Sequence, residues 1–110
     1  MERVSFYRET IIHVLNDLAE MSSHDDVEIL SLFDTPHDNY ALIDAGWQGI
    51  QRLHHIIAHI HIHSGKIWVE ADNTDVALVQ QLHDTGVAKD EIVLAFYSPQ
   101  RRPLTEFAVA

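Results

Sequence analysis

The sequence predicts an α+β domain in which two helices pack against a largely antiparallel sheet, in the order α-β-β-β-β-α-β. Three observations favour this fold: an apolar stripe of helical period at the start, alternating residues in the middle, and a second stripe followed by an apolar run near the end. The 110 residues, 46% of them apolar, suit one compact domain spanning residues 1–110. Short connections between consecutive strands favour antiparallel pairing.

The first helix is predicted over residues 3–21. Its apolar residues recur at steps of three and four, while Glu9, Asp17 and Glu20 lie off the stripe. The stripe consists of Val4, Tyr7, Ile11, Val14, Leu15, Leu18 and Met21. A polar break over residues 22–26 ends the helix.

Two strands are predicted next, separated by a turn. Residues 27–33 form a strand that is apolar on both faces at its centre, and residues 40–47 form the return strand. The turn between them is rich in Asp, Asn and Pro, which favour turn geometry. Gly46 and Gly49 indicate a bend or bulge around Trp47.

Residues 50–63 are predicted as the longest strand. Its second half alternates strictly, with Ala58, Ile60 and Ile62 on one face and the histidines on the other. Ser64-Gly65 supplies a tight turn, and residues 66–71 return beside it.

The second helix is predicted to start at residues 72–75, where carboxylates suit a helix N-terminus. Its buried stripe consists of Val76, Leu78, Val79 and Leu82. Gly86 is predicted as the left-handed residue that ends it, with Val87 folding back. Residues 92–97 form a continuous apolar run typical of a buried strand.

The histidines at 59, 61 and 63 raise the question of a metal site. Residues two apart on a strand are about 6–7 Å apart, so three rarely reach one ion, and a site would need Asp44 or Glu70 as a further ligand. We interpret the histidines as a half-exposed polar face and predict no metal. No P-loop, dinucleotide turn or assignable catalytic set is present, so the sequence predicts a protein without catalytic residues or cofactor.

The charge distribution admits two interpretations: a solubilising surface, which it favours by itself, and a complementary face for a basic protein partner. The formal net charge is −10, and nine carboxylates but no Lys or Arg lie between Arg8 and Arg52. Such a field repels nucleic acid and accelerates encounter with a basic protein. Asp34 and Asp38 bracket the first predicted turn, and we interpret them as solvated turn residues. The candidate partner-binding residues are Asp34, Asp38, Asp44 and Trp47.

The chain is expected to be cytoplasmic. It has no cysteine, and no apolar run approaches the ~20 residues of a membrane span. The acidic start of the sequence is unlike a signal peptide. We therefore expect no membrane contact, and self-association stays open.

A resemblance to a known family covers essentially the whole sequence. It is carried by residues 65–69 (GKIWV), Gly86-Val87, residues 90–96 (DEIVLAF) and the ending 107–110 (FAVA). Upstream matches are Tyr7-Arg8, Phe33-Asp34, Asp38, Tyr40, Gly46-Trp47 and His59. In these features the sequence resembles the XisI family of cyanobacterial proteins, from which it departs at His61 and His63.

The resemblance implies a controlling factor for excision of the fdxN element, a DNA deletion made in differentiating heterocysts. It also implies a separate recombinase and a nuclease-like companion, XisH. It supplies no catalytic residues. We therefore expect a non-enzymatic accessory protein that binds an XisH-like subunit, with a direct DNA-binding directionality factor as the alternative.

Overall fold

Two α-helices lie on one side of a six-stranded sheet in the computed structural model, which describes residues 2–23, 26–74 and 78–110. The helices are α1 (Glu2–Ser22) and α2 (Leu78–Asp84). The strands are β1 (Val27–Asp34), β2 (Asn39–Gln48), β3 (Gln51–Leu53), β4 (Ile56–His63), β5 (Lys66–Asp72) and β6 (Ile92–Leu94). This arrangement confirms the predicted α+β fold.

The sheet has the order β1-β2-β4-β5-β6, with β3 paired to β2 outside this path. All pairs are antiparallel except β5 with β6, which is parallel because α2 lies between them in the chain. Leu30 faces Ile43, Tyr40 faces Ile60, and Ile60 faces Val69 across neighbouring strands. One face of the sheet contacts α1; we call the opposite side the outer face.

The core lies between α1 and the sheet. Ile11 and Leu15 of the predicted stripe are fully buried against residues such as Leu42, Ile60 and Ile67. Burying a side chain of this size contributes about 1.5–3 kcal/mol, so this layer dominates the stability of the fold. The last residue of the stripe, Met21, is instead 62% exposed.

The predicted strand over residues 50–63 is divided into β3 and β4. Gly49 has a positive φ of 63° and turns the chain so that β3 runs back along β2. At the break, the Asp44 carboxylate accepts a hydrogen bond from the His55 N–H at 2.5 Å. A side-chain carboxylate thereby accepts the hydrogen bond that a backbone carbonyl of the neighbouring strand accepts in a regular sheet. The strand is therefore interrupted between Leu53 and Ile56.

Two predicted turns are confirmed. Ser64 and Gly65 both have positive φ, 50° and 74°, as a tight hairpin turn of the I′ type requires. Gly86 has φ 109° and ends α2: the Val87 N–H donates to Leu82 O, and the Gly86 N–H donates to His83 O.

The predicted start of the second helix is described in part. Asp72 accepts hydrogen bonds from the Thr74 N–H and hydroxyl, but Asp75 and Val76 lie outside the described residues. Leu78 and Leu82 are fully buried, as predicted for this stripe.

The final strand is shorter than predicted. β6 ends at Leu94 because the Tyr97 N–H donates back to Leu94 O and turns the chain, leaving Phe96 47% exposed. The tail then returns, and the Ala108 N–H donates to Ile92 O at 2.9 Å. The tail therefore covers the sheet near β5 and β6.

Candidate partner-binding surface

The structure does not bring the four predicted partner-binding residues together. Asp34 and Trp47 belong to the outer-face register at opposite ends of the β1–β2 hairpin, Asp38 lies in its turn, and Asp44 belongs to the helix-covered face. Asp34 caps the turn Thr35–His37 by accepting from the His37 N–H, and its other oxygen lies 2.9 Å from His37 Nδ1. No single surface contains all four residues.

Asp38 is tied into the fold. Its carboxylate accepts hydrogen bonds from Arg8 Nε at 2.6 Å, Arg8 Nη2 at 3.0 Å and the Tyr40 hydroxyl at 3.0 Å. The hydrogen bonds from Arg8 lower the pKa of Asp38 despite partial burial. The interpretation of Asp38 as a solvated turn residue is therefore wrong, and Arg8 compensates its charge.

A second cluster, again of an arginine, a tyrosine and a carboxylate, joins α1 to the segment before β6, and we call this cluster the clamp. Glu91 accepts hydrogen bonds from Arg3, the Tyr7 hydroxyl and the Ala88 N–H. The hydrogen bonds from Arg3 lower the pKa of Glu91 to about 2. The pKa of Tyr7 is raised to about 12, mainly by burial and next by its hydrogen bond to Glu91. Sequence reasoning missed this cluster because Arg3 and Glu91 are 88 positions apart.

Asp44 borders a cavity of about 430 Å³ under the C-terminal end of α1. Its apolar walls include Leu18, Ile29, Leu53 and Ile57. One carboxylate oxygen is held by the His55 N–H and lies 3.4 Å from His55 Nδ1. Asp44 therefore contacts the chain at the break between β3 and β4.

Trp47 is 53% exposed at the tip of the β2–β3 hairpin. The Arg52 guanidinium lies 5.3 Å from its ring centre, and Arg52 Nη1 donates to Gly46 O. A Cβ atom at Gly46 would lie 2.2 Å from Asp26 O, so this position accepts only glycine without rearrangement. The hairpin thus presents an aromatic ring to solvent.

The three histidines of β4 share the outer face, as the alternation predicts. Their ring centres are 6.2 Å apart between His59 and His61 and 6.1 Å apart between His61 and His63. His61 Nε2 is 2.7 Å from Glu70 Oε2, although the two groups are not aligned for a hydrogen bond. Among residues 2–23, 26–74 and 78–110, no three His, Asp or Glu side chains are placed to hold one ion.

An acidic groove separates α1 from α2. Its volume is about 440 Å³, and its described lining contains three carboxylates and neither Lys nor Arg: His13, Val14, Asp17, Glu20, Met21, Gln81, Asp84 and Thr85. Asp17 lies 3.3 Å from His13 Nε2, and Asp84 accepts from the Gln80 side chain. The sequence alone does not predict this groove, because Asp84 comes near Asp17 only when α2 packs beside α1.

No helix in the described part of the chain combines the length and apolar character needed to cross a membrane. A search of curated proteins gave no match.

The comparisons with solved structures cover nearly the whole chain. An XisI-like protein from Anabaena variabilis is 30% identical with a TM-score of 0.85, over 98% of this chain and 99% of the other. The fdxN element excision controlling factor XisI from Anabaena variabilis is 35% identical with the same TM-score and coverage. The family model described as XisI protein matches residues 1–109. The chain therefore belongs to the XisI family.

Proposed function

We propose that this protein is a non-catalytic controlling factor for excision of a DNA element, which acts by binding a basic protein, an XisH-like nuclease subunit. The family match and the name of the solved relative support the role in excision control. The net charge of −10 supports a basic partner, since opposite charge accelerates encounter over distances of about a Debye length, roughly 8 Å at physiological salt.

The acidic groove between α1 and α2 is the contact surface that best supports this function. Asp17, Glu20 and Asp84 line this groove together with Val14 and the exposed Met21. A basic segment could place cationic groups against these carboxylates and apolar carbons against Val14 and Met21. Asp38 and Asp44 are already bound within the fold, so they suit this role less.

Direct DNA binding has little support in the positions of the basic residues. Arg3 pairs with Glu91, Arg8 with Asp38, and Lys89 with Glu106. The guanidinium groups of Arg101 and Arg102 lie over the rings of Tyr97 and Trp68. A phosphate backbone would need several free cations on one face, and these contacts engage five of the seven Lys and Arg residues of the chain.

The experiment measures binding of the XisH-like protein by calorimetry at low and moderate salt. Asp17→Asn combined with Glu20→Gln should raise Kd about fivefold to tenfold at low salt, since each exposed charge contributes up to about 1 kcal/mol. Glu28→Gln with Asp90→Asn makes the same change in net charge on exposed residues away from the groove. Equal weakening by the two pairs would place the contact elsewhere, and absence of any binding would refute the proposed partner.

A further inference from the structure

The outer face of the sheet carries an apolar patch over β1, β2 and the start of β4. Leu32 is 52% exposed, Ile56 is 49% exposed and Leu30 is 38% exposed. The pairings Leu30–Ile43, Leu32–Ala41 and Ile43–Ile56 make these side chains neighbours on one face. The outer patch consists of Leu30, Leu32, Ala41, Ile43, Ala45 and Ile56.

The C-terminal tail covers a different part of the same face. Arg102 lies over Trp68 of β5, and Ala108 bridges to Val93 of β6. The exposures of Leu30 and Leu32 show that nothing equivalent covers β1 within the described residues. An apolar patch of this kind on a folded protein indicates an interaction surface.

The charge distribution selects the partner for this patch. The outward-facing charged residues of the described β1, β2 and β4 strands are Glu28 and Asp34, which lie toward the two ends of edge strand β1. The patch itself is neutral, so a basic protein gains no ion pairs there. Two chains of net charge −10 can approach through this neutral face, whereas their helix faces would bring Asp17 and Glu20 together.

We infer that two copies of this chain associate face to face through the outer patch in a two-fold symmetric dimer. Such sheets stack about 10 Å apart, and an isologous contact sets the outer patch of one copy against the same patch of the other. The acidic grooves then point away from the interface. The inference does not depend on the proposed function.

The size of the patch sets the expected affinity. The whole outer face of the three strands that carry the patch, at ~4.8 Å spacing and about 27 Å long, presents roughly 400 Å² per copy, or about 800 Å² for two. Permanent dimers bury more than about 2,000 Å², and transient contacts lie below about 1,200 Å². We expect a reversible dimer with a Kd in the micromolar range.

Sedimentation velocity of the full chain from about 5 to about 500 µM tests the inference, because this range brackets a micromolar Kd. The wild-type mass should rise from the 12.6 kDa monomer toward twice that value. Leu32→Glu places two carboxylates in the contact and should raise Kd at least tenfold. Val109→Glu adds the same charge at a side chain that is also 52% exposed, in the tail beside β6 at the opposite edge of the sheet from β1, and should leave Kd unchanged.

Circular dichroism of each variant first establishes that it is folded, and Leu30→Ala serves as a milder substitution that should weaken the dimer several-fold. A wild-type chain that stays monomeric at 500 µM would overturn the inference. So would a dimer that survives Leu32→Glu, or one that Val109→Glu disrupts equally. If the patch binds a neutral protein other than a second copy, the wild-type chain alone stays monomeric, which is the first of these contradicting outcomes.

Discussion

Replacement of Glu91 by glutamine should destabilise the protein, and in a pH-dependent way. Glu91 accepts hydrogen bonds from Arg3, Tyr7 and the Ala88 N–H, and so fastens α1 to the segment before β6. An amide keeps the shape of the side chain but loses its charge and can only partly accept from these donors. The loss of stability therefore measures the hydrogen bonds and the charge of the clamp, because the substitution leaves no cavity.

The magnitude follows from the environment of the pair. Hydrogen bonds to charged groups contribute about 1.5–3 kcal/mol, and the Glu91 side chain is only 20% exposed. The Arg3 side chain is 50% exposed, so solvent screening reduces the contribution of the pair. We expect a loss of about 2 kcal/mol for Glu91→Gln at pH 7, equivalent to about 10 °C in Tm.

The pH dependence has a definite sign. The pKa of Glu91 is lowered from 4.5 to about 2 in the folded protein, mainly by the hydrogen bonds from Arg3. The stabilisation is therefore fully present above pH 4.5 and is lost as the pH falls from 4.5 toward 2. The difference between wild type and Glu91→Gln should accordingly shrink by more than half between pH 7 and pH 3.

Urea unfolding at both pH values measures this difference. The matched control is Glu9→Gln, the same substitution at an exposed glutamate of α1, which should change stability by less than about 0.5 kcal/mol. Equal stability of the two variants at pH 7, or a difference for Glu91→Gln that is independent of pH, would refute the account of the clamp.

Three further predictions concern the core, a helix end and the histidines. Ile67→Ala should lower the free energy of unfolding in urea by about 2–5 kcal/mol, because Ile67 is fully buried. Ile50→Ala should lower it by less than about 0.5 kcal/mol, because Ile50 is 99% exposed, and equal losses would contradict the described core. Gly86→Ala should lower Tm by several degrees, because an alanine at φ 109° is strained, and an unchanged Tm would argue against this helix end. A chelator should leave Tm unchanged in protein purified without a histidine tag, and a fall of several degrees would reveal a structural metal.

Local patterns predicted the fold well. Periodicity identified α1, alternation assigned Ile60 and His61 to opposite faces of β4, and Gly86 marked the end of α2. The break between β3 and β4 was missed because it depends on a contact between Asp44 and His55 across the sheet. Alternation alone does not show where a side chain replaces a backbone partner.

The surface was harder to predict than the core. The sequence shows how many carboxylates the chain has, but not which are compensated: Asp38 is bound by Arg8, 30 positions away. The groove joins Asp17 with Asp84 through helix packing. Long-range pairing of charges depends on tertiary structure, so the net charge was informative while the individual candidate residues were not.

A parallel titration tests the central claim, that this XisI-family protein binds a protein and not DNA. The purified chain is titrated with the XisH-like protein and, separately, with duplex DNA at about 150 mM salt. The account predicts saturable binding of the protein that weakens as salt is added, and no appreciable binding of DNA. Sub-micromolar binding of DNA by the chain alone, without binding of the XisH-like protein, would contradict it.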